Sequence, residues 1–235
     1  MFTQAVVDNA HRHALKRYPE ECCGVVVQGN YFELINMSDD PENTFKIGMS
    51  QAEIEEFAGG ILEAVIHSHP DGTASPSSHD MISQIESAVP WGVFSTDGKE
   101  CTGISWFGDE CPIQPLLGRP FIHGVYDCFG LVRDYYRLKK NITIPQFPRD
   151  EEWWYNGGDL LNVENFKDAG FRVIPQNELQ IGDVVAATIL CNTVNHVGIY
   201  VGKGLVLHHL YDRLSKRDPI GRWLKYCKYC LRYEG

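Results

Sequence analysis

The sequence lacks any apolar run long enough to span a bilayer, any second CxxC to complete its single one, any internal repeat, any low-complexity tract and, over its first 112 residues, much positive charge. Each absence excludes something. Without a run of about 20 apolar residues, stable membrane insertion is not expected. The opening MFTQAVVDNAHRHALKRYPEE has an amphipathic pattern, with neither the apolar core nor the small-residue cleavage site of a secretory leader. It predicts a protein made in a cytosol and not secreted by the usual route. Residues 1–112 carry 5 basic and 18 acidic side chains, a net of −13. Phosphate binding needs clustered cations, so nucleic acid is not a partner of this half. Residues 113–235 carry 16 basic and 13 acidic side chains, a net of +3, and that shift places a boundary near residue 112. The basic stretch Arg213–Arg232 reads as a solvated surface, with contact to an anionic polymer as the alternative. Of the eight cysteines, Cys227 and Cys230 form the lone CxxC. Disulfides are unfavoured in a reducing cytosol, and a structural zinc wants a second ligand pair. Two small residues near a last strand are the default there, ahead of a metal or a redox pair.

What is present is enough for packed cores: 43% hydrophobic residues, 11% aromatic, and only 22% charged. Residues 2–18 predict a helix, because Val6, Ala10, His13, Ala14 and Arg17 recur at spacings of three and four, and Pro19 ends it. Cys22–Val27 and Tyr31–Ile35 read as a hairpin. Ser50 with Glu53, and Ser77 with Asp80, are capping-box signals that open helices to about Leu62 and Glu86. Ala64–His67, Trp91–Ser95 and Thr102–Phe107 read as strands. Gly108, Pro112, Pro115, Gly118 and Pro120 mark a break. After it, Asp127 is the expected N-cap of a helix carrying Cys128, Leu131, Val132, Tyr135 and Leu138. A short helix from Asn162 to Ala169 follows, and then strands at Asp183–Thr188, Val197–Val201, Leu205–His208 and Tyr229–Tyr233. The expected fold class is α+β in two domains, at 1–110 and 123–235, with 111–122 as linker and lead-in.

Two constellations carry chemistry. In the first, His67 and His69 are two residues apart, so a strand would put both imidazoles on one face. Asp80 can add a carboxylate, and two imidazoles with one carboxylate make a three-ligand zinc site with an open position for water. Glu21 is a candidate to take that water's proton, and Ser77 to support a developing oxyanion. The bland alternative is that Ser77 and Asp80 only cap a helix. The ungapped run His67-Ser68-His69-Pro70 to Ser77 and Asp80 resembles the JAMM (Mov34/MPN) metallopeptidases over about residues 1–110. That resemblance implies an MPN-like mixed-sheet domain in which His67, His69 and Asp80 hold Zn2+. Glu21, three residues before Gly24, would be the base and Ser77 would aid the oxyanion. Glu20 lacks the offset, and His79 has no assigned role.

In the second, Cys128 at the start of a helix is a plausible nucleophile, since the backbone N–H groups and helix dipole favour a thiolate. His196 precedes one apolar strand and His208 closes the next, so a hairpin would place them side by side. Cys128 is therefore expected to have a lowered pKa, with His196 in hydrogen-bond reach and held in the useful tautomer by His208. YDCFGLV at 126–132 and NHVGIYVG at 195–202 resemble the NlpC/P60 cysteine peptidases over about residues 115–235, with a papain-like fold implied. His208 falls on that family's third catalytic position, and His209 should face away from it. Phe129 stands where many members have serine. No tyrosine occurs about a dozen residues before Cys128, which leaves Tyr126 as the candidate oxyanion partner.

Both domains in this order resemble the tail assembly protein K family of lambda-like phages. The resemblance implies a hydrolase at the tail tip. The second domain would be an endopeptidase on peptidoglycan peptide stems, and the first a zinc-dependent (iso)peptidase acting on a tail component. Other tail tip proteins would be partners, in the host cytoplasm during assembly and then at the virion tail tip. The alternative is a structural assembly factor with little or no catalytic activity.

Overall fold

A computed structural model describes residues 1–235, which divide into two compact units, Met1–Pro112 and Ile113–Gly235. The first is built on a five-stranded sheet in the order β2-β1-β3-β4-β5. Its elements are α1 (Gln4–Arg17), β1 (Cys23–Val27), β2 (Asn30–Leu34), α2 (Gln51–Ala58), β3 (Leu62–Pro70), α3 (Ser78–Ser87), β4 (Trp91–Thr96) and β5 (Ser105–Phe107). All neighbouring pairs are antiparallel except β3 with β4, which α3 joins as a parallel crossover, so the sheet is mixed. Helix α1 buries Val6, Ala10 and Ala14 in a cluster with Val26, Ala64, Ile66 and Phe94. Each large side chain so removed from water contributes about 1.5–3 kcal/mol.

Two local differences from the sequence reading have physical causes. Helix α2 ends at Ala58, short of Leu62, because Gly59 adopts the left-handed conformation at φ 73° and caps it. Strand β3 runs on to Pro70 because its parallel pairing with β4 continues through His69↔Ser95 and Pro70↔Thr96. That extension keeps both His67 and His69 on a regular strand, and so on one face.

The second unit carries a six-stranded antiparallel sheet in the order β10-β9-β8-β7-β11-β6. Its elements are α4 (Cys128–Lys140), α5 (Val163–Asp168), β6 (Phe171–Ile174), β7 (Val184–Ala187), β8 (His196–Tyr200), β9 (Leu205–His208), β10 (Lys216–Pro219), α6 (Ile220–Trp223) and β11 (Cys227–Tyr233). Leu131, Val132 and Tyr135 of α4 pack with Val184, Val197, Ile199, Leu207 and Leu231 of the sheet. Strands β6 and β10 were not anticipated. Both are sheet edges, where one partner suffices and polar residues and proline are tolerated, so alternation is weak. β10 in particular is Lys-Arg-Asp-Pro, the charged tail that reads as mere surface.

The lead-in is less open than a linker. Gly118 N–H donates to the Ser215 carbonyl at 2.8 Å, Ser215 N–H returns a bond to the Arg119 carbonyl at 3.1 Å, and buried Arg119 pairs with Asp134. Residues 109–117 have no helix or strand and are mostly exposed. Brief digestion of the native chain with a broad-specificity protease should therefore cut first within 109–117 and leave two folded fragments, read by mass. First cuts inside either sheet would contradict this.

Candidate functional site

In the first unit, two elements bring His67, His69 and Asp80 together. β3 supplies the imidazoles, and the capping box at the start of α3 supplies the carboxylate. Their ligand atoms all lie within 4.8 Å of one another. His67 Nε2 is 3.3 Å from Asp80 Oδ1, His69 Nε2 is 3.5 Å from Asp80 Oδ2, and the two Nε2 atoms are 3.2 Å apart. His69 Nδ1–H donates to the Thr73 carbonyl at 2.9 Å, which leaves its Nε2 lone pair aimed at the cluster. The Ser77 hydroxyl donates to Asp80 Oδ2 at 2.7 Å, and Ser77 N–H reaches the same oxygen at 2.8 Å. Ser77 thus fixes the carboxylate, so the capping box and the convergent cluster are one construction. These residues can hold a metal ion: two imidazole nitrogens and a carboxylate converge within 4.8 Å of one another.

The electrostatics agree. Burial holds the His67 pKa below the ordinary value, against the pull of Asp80, so it stays a neutral donor. Burial alone would raise Asp80, but His67, His69 and Ser77 outweigh it and keep the carboxyl well below the usual range. Glu21 is buried just before β1, with Oε1 4.0 Å from His69 Nε2. Its backbone N–H donates to the Pro41 carbonyl at 2.7 Å, and its own carbonyl accepts from Asn36. Burial pushes its pKa up to about 7, with His69 opposing. Glu21, His69, Ser77, His79 and Asp80 line one cavity of about 250 Å³.

In the second unit, Cys128 is the first residue of α4 and opens on a cavity of about 220 Å³ that His196, Asn195, His123 and His209 also line. Asp127 caps the helix as expected: Oδ1 accepts from Gly130 N–H at 2.8 Å, and Oδ2 from Gly124 N–H at 2.9 Å. Gly130 is required here, since a Cβ would lie 2.2 Å from the Val125 carbonyl oxygen. Arg149 grips Asp127 Oδ2 through Nε at 2.9 Å and Nη2 at 2.7 Å, with both side chains buried. Burial would raise Asp127, but Arg149 and His123 hold its pKa well below the carboxylate range. The stability it contributes is therefore complete at neutral pH and is lost as pH falls below the unfolded value of about 3.9. Arg149→Ala should lower stability at neutral pH by about 3–5 kcal/mol, because it strands a buried carboxylate at the helix start. Denaturant unfolding reads this, and a loss below about 1 kcal/mol would contradict it.

The resting protonation of the pair differs from the sequence expectation. Burial, followed by the adjacent Asp127 carboxylate, pushes the Cys128 thiol up to about 12, although the backbone N–H groups of Val197 and Phe129 point at the sulfur. Burial, with His208 and His209 adding, pulls His196 down to about 3. A helix N-terminus is worth about 0.3–1 kcal/mol at a surface, and desolvation of a buried thiolate exceeds that. Both shifts favour a thiol and a neutral imidazole over an ion pair at rest.

His196 stacks on Trp223 with centroids 4.8 Å apart and meets His208 edge-on at 5.6 Å. The expected bond between the two imidazoles is not formed. His208 Nε2 lies 3.2 Å from Asp218 Oδ2 instead. His209 lies just past the end of β9, packs on Phe121, bonds the Arg213 carbonyl at 2.9 Å and lines the Cys128 cavity. Tyr126 lies under the Arg119 guanidinium, 4.8 Å from ring centroid to carbon, and does not line the cavity; Asn195 and His123 do. The roles of Arg149, Asn195, Trp223 and Asp218 went unread in sequence. Asp127 alone had a local signal, its capping position.

Residues 3–107 match the prokaryotic homologs of the JAB domain, and residues 118–231 match the NlpC/P60 family. Tail tip assembly protein K of Escherichia phage N15 is 34% identical over 237 residues, covering 98% of this chain and 95% of that one. Its namesake in Escherichia phage lambda is 38% identical over 169 residues, covering 72% and 77%. The crystal structure of an NlpC/P60 family protein from Bacillus cereus ATCC 10987 is similar at 16% identity and a TM-score of 0.38, covering 99% of this chain and 67% of that one. With a JAB-type unit followed by an NlpC/P60 unit, and end-to-end similarity to the N15 protein, the chain belongs to the phage tail tip assembly protein K family.

Proposed function

We propose that the chain is a tail tip hydrolase with two separate sites, and that the second is a cysteine endopeptidase acting on peptidoglycan stem peptides. One observation carries this reading: Cys128 and His196 line one cavity. Cys128 Sγ attacks the peptide carbonyl as its proton passes to the neutral His196 imidazole. The C–N bond breaks, His196 returns the proton to the leaving amine, and an acyl group remains on Sγ. Water, deprotonated by His196, then releases the acid and restores the thiol. The Val197 and Phe129 N–H groups steady the sulfur, and His208 supports the imidazolium at each transfer. Asn195 or His123, which line the cavity as Tyr126 does not, is assigned to meet the oxyanion.

In the first unit, His67, His69 and Asp80 would hold zinc, which when bound supplies Lewis acidity and lowers the pKa of water. Glu21, with its pKa near neutrality, takes a proton from the attacking water at Oε1 and yields it to the leaving amine. The Ser77 hydroxyl, whose hydrogen is on Asp80, must turn from that carboxylate to support an oxyanion. This site is assigned to cleavage of a peptide or isopeptide bond in a tail component. The chain would work in the host cytoplasm during assembly and then at the virion tail tip.

An assembly role without catalysis is the second reading, favoured by the neutral resting state of Cys128 and His196. Rapid acid quench during digestion of purified peptidoglycan separates the two. An acyl adduct on the Cys128 peptide, found by mass, is expected from a peptidase, and its absence at every time point, with no product, from a scaffold.

A further inference from the structure

We infer that Asp218 is a positioning residue for the second site, acting on His196 through His208; this rests on the cysteine-peptidase reading above. Two buried ring nitrogens at this site are orphaned. His196 Nε2 and His208 Nδ1 are both fully buried and neither has a hydrogen-bond partner. They belong to neighbouring rings whose centroids are 5.6 Å apart. The two nitrogens are not bonded in the structure, but a ring nitrogen lies about 1.2 Å from its centroid and an N–H···N contact spans about 3 Å, so a turn of the rings at this separation brings them into contact. Burying two unpaired polar atoms side by side is costly, and their mutual bond removes both penalties.

Such a bond requires one nitrogen to carry the hydrogen and the other a lone pair, and Asp218 decides which. Its Oδ2 is 3.2 Å from His208 Nε2, and a carboxylate can only accept. His208 is thereby held as the Nε2–H tautomer, with a lone pair on Nδ1. Once the rings turn to meet, that lone pair accepts from His196 Nε2–H, which leaves His196 Nδ1 unprotonated and free to take the Cys128 proton. When His196 becomes positive, its charge is balanced along the chain His196–His208–Asp218.

The fold builds this deliberately. β10 pairs with β9 so that Lys216 stands opposite His208 and Asp218 opposite Val206, which puts Asp218 diagonal to His208 on the same sheet face. Lys216 Nζ is 3.0 Å from the same Asp218 oxygen and helps keep it ionised. Trp223 covers both rings, 4.8 Å from His196 and 4.3 Å from His208, and shields the pair from water. An edge strand with the sequence Lys-Arg-Asp-Pro, which reads as surface, therefore has one inward task.

Ring-nitrogen NMR on the isotope-labelled full chain tests this without activity. Wild type should show His208 protonated on Nε2 and unprotonated on Nδ1. Asp218→Ala should lose that preference, whereas Asp218→Asn, which keeps an acceptor, should retain it. Asp218→Leu serves the same purpose if the alanine variant does not fold. In parallel, kcat on muropeptides should fall about tenfold or more in Asp218→Ala, with KM within about twofold, and recover largely in Asp218→Asn. A His208 tautomer unchanged in Asp218→Ala or Asp218→Leu overturns the inference whatever kcat does. Wild type that cleaves nothing while the ring signals follow Asp218 as expected overturns the peptidase reading and leaves the positioning intact.

Discussion

Replacing His67 and His69 together by alanine should abolish zinc binding by the full chain, which is expected to take up about one ion per chain in the wild type. The size of the effect follows from the geometry. Two of three donors are removed, and the survivor, Asp80, is already satisfied by Ser77. No other group of three metal-ligating side chains converges to the same extent. Ser77→Ala should be milder. It leaves all three donors but frees the carboxylate, and loss of such an outer partner typically costs about 10–100-fold in affinity. Zinc at 100 times its Kd should also raise wild-type stability by about 2.7 kcal/mol and leave the double variant unmoved. Metal analysis and titration calorimetry of chelator-free protein read this. A wild type without metal, or metal that persists in the double variant and depends on Cys227 and Cys230, would contradict it.

Cys128 in the unliganded chain should be alkylated by iodoacetamide far more slowly at neutral pH than an ordinary thiol. Its pKa lies above the usual value, pushed up to about 12 by burial and by Asp127. A raised thiol pKa means less thiolate at any lower pH, here by about 10³ near pH 7 relative to a free cysteine. The rate should climb with pH without a plateau below about pH 9. His196→Ala should change it little, since His196 is itself neutral, its pKa pulled down to about 3. Peptide-resolved mass spectrometry gives the profile. Fastest reaction of Cys128 at pH about 6–7, lost on His196→Ala, would show a resting ion pair and refute the neutral one.

The gap between that profile and the sequence expectation shows where sequence reading stops. Local features were legible. HxH on a strand, Ser77 with Asp80 as a capping box, and Asp127 before Cys128 each depend on residues a few positions apart, and each appears as expected. The α+β class was legible for the same reason. Desolvation is different, because it sums over every tertiary neighbour. The helix start beside Cys128 is visible in sequence, but the burial that outweighs it is not. The partners of the histidines are equally non-local. Asp218 reaches His208 only because β10 pairs at the sheet edge, and Arg149 reaches Asp127 from 22 positions further on, past helix α4 and the loop after it. Glu21 lies in between. Its offset from Gly24 marked it, but only the fold shows that it is buried beside His69 with a pKa near neutrality.

The central claim is that Cys128 and the zinc-type cluster are two independent hydrolytic sites, and that peptidoglycan is the target of the first. It is tested most directly by digesting purified peptidoglycan with wild type, Cys128→Ala and His67→Ala full-length protein and reading fragment masses. Wild type and His67→Ala should release the same fragments, cut within the stem peptides, and Cys128→Ala should fall by about 10³-fold or more, as expected when a nucleophile is removed. Fragments released equally by Cys128→Ala, or no fragments from any of the three, would contradict the account.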